Sequence, residues 1–469
     1  MSDSRSKYLF NNTVIFALGN FGTKLISFFL VPIYTYTLSV ADYGTADLVT
    51  TISFVLAPML TLNLSDAVMR FPLDKKGNDN QILTVGIAAL VFAYVVGLLM
   101  IPMAQLSPDV SDFAVLMYLY CITSASSSML QAFLRGLEKL REFAFSNILC
   151  TAFTAGFNIL FLVVFKWGVS GYLLAYVMAF IVTSVYSALV SGLFGRLRCL
   201  RFDRTLFLEM FKYAIVLMPS TFMWWIINSS SRVIVTAMLG AAANGILAVA
   251  YKIPSIISVV ANTFTQAWSY SAIREDDSKD RDQFTSNVFS KLVLSAGLLT
   301  LFLMMIIRPL TMLYVSPDYA SAWQYSSWLL LGNYLFTVGN FLGAPYTVHK
   351  DSLGYLISTA VGALLNIALM FLLIPIMGLY GSVVAAFLGY LAVVIFRYFH
   401  TKKYVEITVE CRQLLPMLLS MAAILILQSL FVRFLTAGTL LVGVFILYSY
   451  RTLFVQAINA LKVKLAALL

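Results

Sequence analysis

Apolar residues run along this chain in long, nearly unbroken stretches, each about the 20 residues an α-helix needs to cross a hydrocarbon core of about 30 Å. Fourteen such stretches can be read, at 12–38, 44–69, 81–102, 113–134, 143–165, 170–194, 214–239, 244–270, 288–308, 322–345, 354–374, 379–399, 414–435 and 438–458. Where polar residues interrupt them they recur at helical rather than strand spacing, so the predicted elements are helices. The links between them are short, the longest near 195–213 and 271–287. The head MSDSRSKYLFNN is followed by no small-residue cleavage site, so the first helix is expected to be an uncleaved anchor. The last stretch is the weakest span, because Arg451 interrupts it.

Charge fixes the expected orientation. Segments that alternate to one side of these spans hold twenty-three of the 31 Lys and Arg residues, those on the other side only Lys166, Arg308 and Arg433. Cytoplasmic loops carry such an excess of bases, which puts both termini in the cytoplasm. Composition agrees: 61% of the 469 residues are hydrophobic, 11% charged, and mean hydropathy is +0.89. A water-soluble domain carries roughly 25% charged residues, so that class is excluded. The net charge of +10 then reflects topology before any acidic partner. Four scattered cysteines and two histidines supply neither metal nor redox spacing, and no phosphate-binding loop motif occurs, so no cofactor or metal is expected.

Two stretches repeat at an offset of 201. Leu38-x-x-Ala41-x-x-Gly44 matches Leu239-x-x-Ala242-x-x-Gly245. A second pair joins Asn158-Ile159, Gly168 and Gly171 to Asn366-Ile367, Gly378 and Gly381, with glycines at tight turns. The predicted fold is an all-α polytopic membrane protein of about fourteen spans. It divides into two pseudo-symmetric six-helix bundles, 1–200 and 201–405, and two additional helices in 406–469. Parallel repeats of this kind hold substrate between their halves in transporters.

Ionisable groups within spans are candidates for function. Lys24 is expected roughly 21 Å from the outer end of its helix, Arg232 and Lys252 roughly 10–12 Å deep. Asn20, Lys24, Ser27 and Val31 share a helix face, and the repeat carries them onto Thr221, Trp225, Asn228 and Arg232. Lys252, Ser255, Asn262 and Gln266 form a third stripe. The polar members would serve as readily as glue between helices, and Trp224 and Trp225 as lipid-facing aromatics. Asp66 and Arg70 read as an i,i+4 pair, and Asp47 as a wet residue near a helix end, so no deep carboxylate is expected. The interior then reads as net positive, matched to an anionic substrate.

The stretches Val31-Pro32-Ile33-Tyr34-Thr35-Tyr36-Thr37-Leu38, Asp42-Tyr43-Gly44 and Leu64-Ser65-Asp66-Ala67-Val68-Met69-Arg70-Phe71 resemble bacterial polysaccharide (Wzx-like) flippases. So does Asn366 to Pro375 with Gly378-Leu379-Tyr380-Gly381. The likeness runs from about residue 8 to 400, within a superfamily that also holds multidrug exporters and lipid II flippases. It implies a non-enzymatic transporter in the bacterial cytoplasmic membrane. The cargo would be an isoprenoid-pyrophosphate-linked oligosaccharide, moved to the outer leaflet by alternating access and coupled to H+ or Na+. Lys24, Arg232 and Lys252 would hold the diphosphate, with Asn20, Ser27, Trp225, Asn228 and Gln266 beside them in the cavity. An ion-coupled multidrug antiporter is the alternative, a lipid II flippase a lesser one. A membrane-embedded glycosyltransferase would call for large outer loops or clustered carboxylates, and neither is present.

Overall fold

A computed structural model describes residues 26–451 except 27, 75–77, 106, 109, 197–200, 259–260, 262–263, 266–267, 269–271, 273–279, 350, 409–410 and 431–434. The described chain is helical throughout and contains no strand. We number its principal helices α1 (Phe28–Thr37), α2 (Val40–Leu60), α3 (Leu64–Leu73), α4 (Asp79–Gly97), α5 (Met100–Ala104), α6 (Ala114–Gly136), α7 (Leu140–Asn158) and α8 (Gly168–Ser191). There follow α9 (Arg204–Leu239), α10 (Ala241–Ala250), α11 (Arg281–Tyr314), α12 (Ala322–Val348), α13 (Ser352–Met377), α14 (Leu379–His400), α15 (Cys411–Leu430) and α16 (Leu435–Ser449). Where the expected stretches coincide with described residues the backbone is mostly helical, and eight of the helices are long and apolar enough to cross a membrane. The outward faces stay apolar, as with Val95, Leu313, Ile376 and Leu441, which are 63–85% exposed. Helices satisfy their own backbone groups, and apolar side chains facing outward are at home in lipid, so the chain is an integral membrane protein.

The chain forms two compact units. The first comprises Met1–Val249, Tyr314–Ala320 and Met370–Ser382; the second comprises Ala250–Leu313, Ser321–Leu369 and Val383–Leu469. In the first, Leu64, Val68 and Phe71 of α3 bury against Ile82 and Leu83 of α4, Met129 and Phe133 of α6, and Met210 of α9. In the second, Trp268 stacks on Phe341 at 4.5 Å between ring centres, and Gln428 Nε2 donates to the Met304 carbonyl at 3.0 Å, tying α15 to α11.

Three departures from the expected spans have physical causes. The stretch 44–69 is two helices, because Pro58 has no N–H to continue the ladder and Leu62 and Asn63 take left-handed backbone (φ 52° and 55°). Irregular backbone at membrane depth persists only where protein covers it or a cavity takes it up. The stretch 244–270 is broken by a turn at Tyr251–Ile253, immediately before Pro254. Pro254 cannot bond the Ala250 carbonyl, and Ser326 Oγ lies 3.1 Å from that oxygen, sharing its one proton between it and the Ala322 carbonyl of its own helix at 3.0 Å. Lys252 therefore sits on a turn rather than within a continuous helix. Finally, α9 starts ten residues before the expected 214: Asp203 caps it by accepting from the amides of Thr205 and Leu206. At about 54 Å it is longer than a bilayer's hydrocarbon core.

The repeated turns adopt matching backbone. Gly168 and Gly378 have φ +57° and +58°, a conformation that admits glycine without strain.

Candidate functional site

Of the residues proposed above, Asn20, Lys24, Ser27 and Gln266 lie outside the described residues. Trp225 and Asn228 lie on α9, with their side chains outside the described set. Arg232 is on α9 in the first unit; Lys252, half-buried, is in the second.

Arg232 is held by α2. Its Nε lies 3.2 Å from Asp47 Oδ2, and one of its terminal nitrogens donates to Thr51 Oγ1 at 3.1 Å. Asp47 and Thr51 are four residues apart, so one face of α2 presents both to the guanidinium. Asp47 was expected to be wet, but its side chain is only 7% exposed. It lies about 10 Å along α2, where the C-terminal half of α9 covers it. The interior is therefore not purely cationic: Asp47 offsets the charge of Arg232 and fixes its orientation. A second correction concerns Arg397, one of the twenty-three bases counted to the cytoplasmic side although it falls at the end of the expected span 379–399. It is 3% exposed within α14 and donates to Ser358 Oγ (3.0 Å), the Gly339 carbonyl (2.8 Å) and Thr359 Oγ1 (2.9 Å), with the Tyr355 ring 4.5 Å away. Among the described residues it pairs with no carboxylate.

Beside the Asp47–Arg232 pair, the two copies of the first repeat meet each other. A Cβ placed on Gly44 would stand 1.8 Å from the Ala241 carbonyl oxygen; one placed on Gly245 would stand 2.0 Å from that of Val40. Under the offset of 201, Val40 corresponds to Ala241 and Gly44 to Gly245, so each contact is the image of the other. Asn244 Nδ2 adds a hydrogen bond to the Gly44 carbonyl at 2.8 Å. Only glycine permits backbones to approach this closely. Tyr319 reinforces the same end of α2, its hydroxyl lying 2.8 Å from the Ser39 carbonyl and 3.1 Å from that of Leu38.

A cavity of about 610 Å³ lies within the first unit, where α2 breaks into α3. Thr61, Asn63, Ser65 and Asp66 line it from the break, Ser124, Ser127, Ser128 and Gln131 from α6, and Asn147 and Cys150 from α7. Phe54, Tyr120, Phe180 and Phe222 supply its aromatic walls. Asp66 is not paired with Arg70 as expected. Its Oδ2 accepts from Asn63 Nδ2 at 2.9 Å, whereas Arg70 bonds Asp74 at 3.0 Å. The left-handed turn at Asn63 brings that amide over Asp66, and Arg70 lies a turn further on, where Asp74 is its i,i+4 neighbour. Asp66 thus faces the cavity, as its one charged lining residue among those described. The signal for this site was the hydroxyl-rich run Ser124-Ala125-Ser126-Ser127-Ser128 with Gln131, polar at i, i+3, i+4 and i+7 in an otherwise apolar helix.

Residues 9–270, more than half of the chain, match the family described as "Polysaccharide biosynthesis protein". The chain belongs to that family. Its fold is similar to that of lipid II flippase MurJ in an inward closed conformation, with TM-score 0.67 and 13% identity over 94% of this chain and 100% of that one. It is also similar to an inward-facing multidrug resistance MATE transporter, with TM-score 0.62 and 14% identity over 81% of this chain and 95% of that one. A third likeness is to the Vibrio cholerae MATE transporter VcmN in its bent form, with TM-score 0.55 and 14% identity over 86% of this chain and 99% of that one. No curated protein matches. This member of the polysaccharide biosynthesis family therefore has a polytopic transporter fold.

Proposed function

We propose that the protein flips an isoprenoid-pyrophosphate-linked oligosaccharide from the cytoplasmic to the outer leaflet of the bacterial cytoplasmic membrane. Two six-helix halves, 1–200 and 201–405, alternate access around the substrate, with both termini cytoplasmic and H+ or Na+ as the coupling ion. The observation that carries this reading is membership of a polysaccharide biosynthesis family on a chain with a transporter fold. Lys24, Arg232 and Lys252 supply charge-assisted hydrogen bonds to the diphosphate, and Asn20, Ser27, Trp225, Asn228 and Gln266 complete the cavity. Arg232 is oriented in advance by Asp47 and Thr51, and an arriving phosphate would compete with Asp47 for its guanidinium.

Deletion of the gene should abolish surface polysaccharide and leave its lipid-linked precursor in the inner leaflet. Complementation by Lys24→Ala, Arg232→Ala or Lys252→Ala should fall well below wild type at equal protein in the membrane. Undiminished polysaccharide after deletion would overturn the flippase reading; full complementation by all three variants would overturn the assignment of these residues. A second reading, an ion-coupled exporter of cationic compounds, draws support from Asp66 in the cavity of the first unit. It predicts ion-dependent efflux of a cationic dye that Asp66→Asn removes. A lipid II flippase would instead rescue cells depleted of their own.

A further inference from the structure

The cavity at the α2–α3 break differs in chemistry from the cationic residues assigned to the diphosphate. Among the described residues no Lys, Arg or His lines it, and its one charged lining side chain is an acid, which disfavours a phosphate there. A dehydrated metal ion fits no better. Such an ion needs six or more converging oxygens, and among the described residues no cluster of three metal-binding side chains exists. At about 610 Å³ the space is that of a small-molecule site.

Its walls present groups in want of partners. The side-chain amides of Gln131 and Asn147 make no hydrogen bond to any described residue, although both face the cavity. Each amide offers two donors and an acceptor, and the Asp66 carboxylate offers acceptors only. Sugar hydroxyls both donate and accept, so this mixture suits them. Phe54 and Phe222, 59% and 37% exposed, add apolar faces for the C–H side of a sugar ring.

We propose that this cavity is a carbohydrate subsite, in which Gln131, Asn147 and Asp66 bind hydroxyls of the uncharged sugar end of the substrate. The proposal rests on the flippase reading. It adds that the glycan is held inside the first unit, by groups other than the cations that meet the diphosphate.

The native Cys150 in the cavity wall provides the test. In a protein with Cys199→Ala and Cys411→Ala, N-ethylmaleimide labelling of Cys150 is timed in two kinds of membrane vesicle. One comes from cells assembling the lipid-linked oligosaccharide, the other from cells lacking its first sugar-phosphate transferase. Cys121, fully buried, stays as an unreactive internal reference. Labelling should be several-fold slower in the first membranes. The shape-preserving variant Gln131→Met/Asn147→Leu should label normally without glycan and lose that protection, its affinity falling about tenfold for two lost hydrogen bonds. Where the double variant does not reach the membrane, either single substitution serves, with about a threefold loss expected. Equal labelling in both membranes, or undiminished protection in the variants, would overturn the proposal. So would protection by tetraphenylphosphonium in glycan-free membranes, which would assign the cavity to a cation. If polysaccharide depends on the gene and Cys150 is never protected, the subsite fails and the flippase reading stands. If polysaccharide survives deletion, the flippase reading itself fails.

Discussion

Gly44→Ala adds one methyl group at the most crowded backbone contact of the first unit. The new Cβ would meet the Ala241 oxygen at 1.8 Å and the Gly245 nitrogen at 2.8 Å, whereas ordinary contact begins at 3.4 Å. The 1.8 Å approach must open by about 1.6 Å, and backbone rather than a flexible side chain stands in the way. A retreat of that size also breaks the 2.8 Å hydrogen bond from Asn244 to the Gly44 carbonyl. Overpacking and the lost bond together amount to about 2–4 kcal/mol. Thermal unfolding of detergent-solubilised protein measures the loss, with Gly156→Ala as control because nothing stands within 4 Å of that Cβ. The control should be neutral or slightly more stable, since glycine inside a helix is itself unfavourable. Gly245→Ala should cost a similar amount. Because each contact mirrors the other, the first substitution opens the gap that the second needs. The double variant should therefore lose clearly less than the two singles combined, a coupling outside the few tenths of a kcal/mol seen for independent sites. Wild-type stability of Gly44→Ala, or full additivity in the double variant, would refute the reasoning.

Asp47→Asn should destabilise the protein by about 1–3 kcal/mol, discounted from the fully buried case because Arg232 is 23% exposed, and adding Arg232→Gln should recover part of the loss in the same unfolding assay. Arg397→Lys should cost nearly as much as Arg397→Met, about 2–4 kcal/mol, because an ammonium cannot reproduce the planar fork that serves Ser358, Gly339 and Thr359; a lysine variant as stable as wild type would contradict this. The Gly354 amide, the Tyr404 hydroxyl and Lys403 hold the Asp351 carboxyl down to about 2, below its ordinary 3.8. A carboxyl depressed by folding contributes stability above its unfolded pKa and loses it as pH falls through the folded one. Asp351→Asn should thus lower the melting temperature at pH 7, and the gap to wild type should close between about pH 4 and 2; a gap independent of pH would show that the contact is not ionic.

The helices were legible because a bilayer demands long apolar runs, a requirement that leaves its mark on sequence directly. The breaks within them were not. Apolar residues resume on both sides of Thr61–Asn63 and of Tyr251–Ile253, so the polar residues there read as members of one span, and a proline alone does not say whether a helix bends or stops. The Asp47–Arg232 pair was hidden for a different reason: its members are 185 positions apart, and Asp47 stands close enough to a helix start to pass for a solvated residue. Arg397 was counted to the cytoplasmic side on the same argument, since a cation near a helix end can reach water unless hydroxyls and a carbonyl hold it inward. The repeat around Gly44 and Gly245 was visible as spacing, whereas the contact between its copies was not. Asp66 was assigned to Arg70 because i,i+4 spacing presumes a regular helix, and the left-handed turn at Asn63 supplied a nearer partner.

The bond from Ser326 to the Ala250 carbonyl has a historical consequence. With an ordinary residue at 254, the amide there would take that carbonyl, and position 326 would be free to become apolar. With proline at 254 and no hydroxyl at 326, the carbonyl would be stranded, at a cost of about 1–3 kcal/mol. A lineage that acquired the proline first would have passed through that weakened form. Serine first is therefore the less costly order, and homologues are expected to include chains with the serine alone but few with the proline alone.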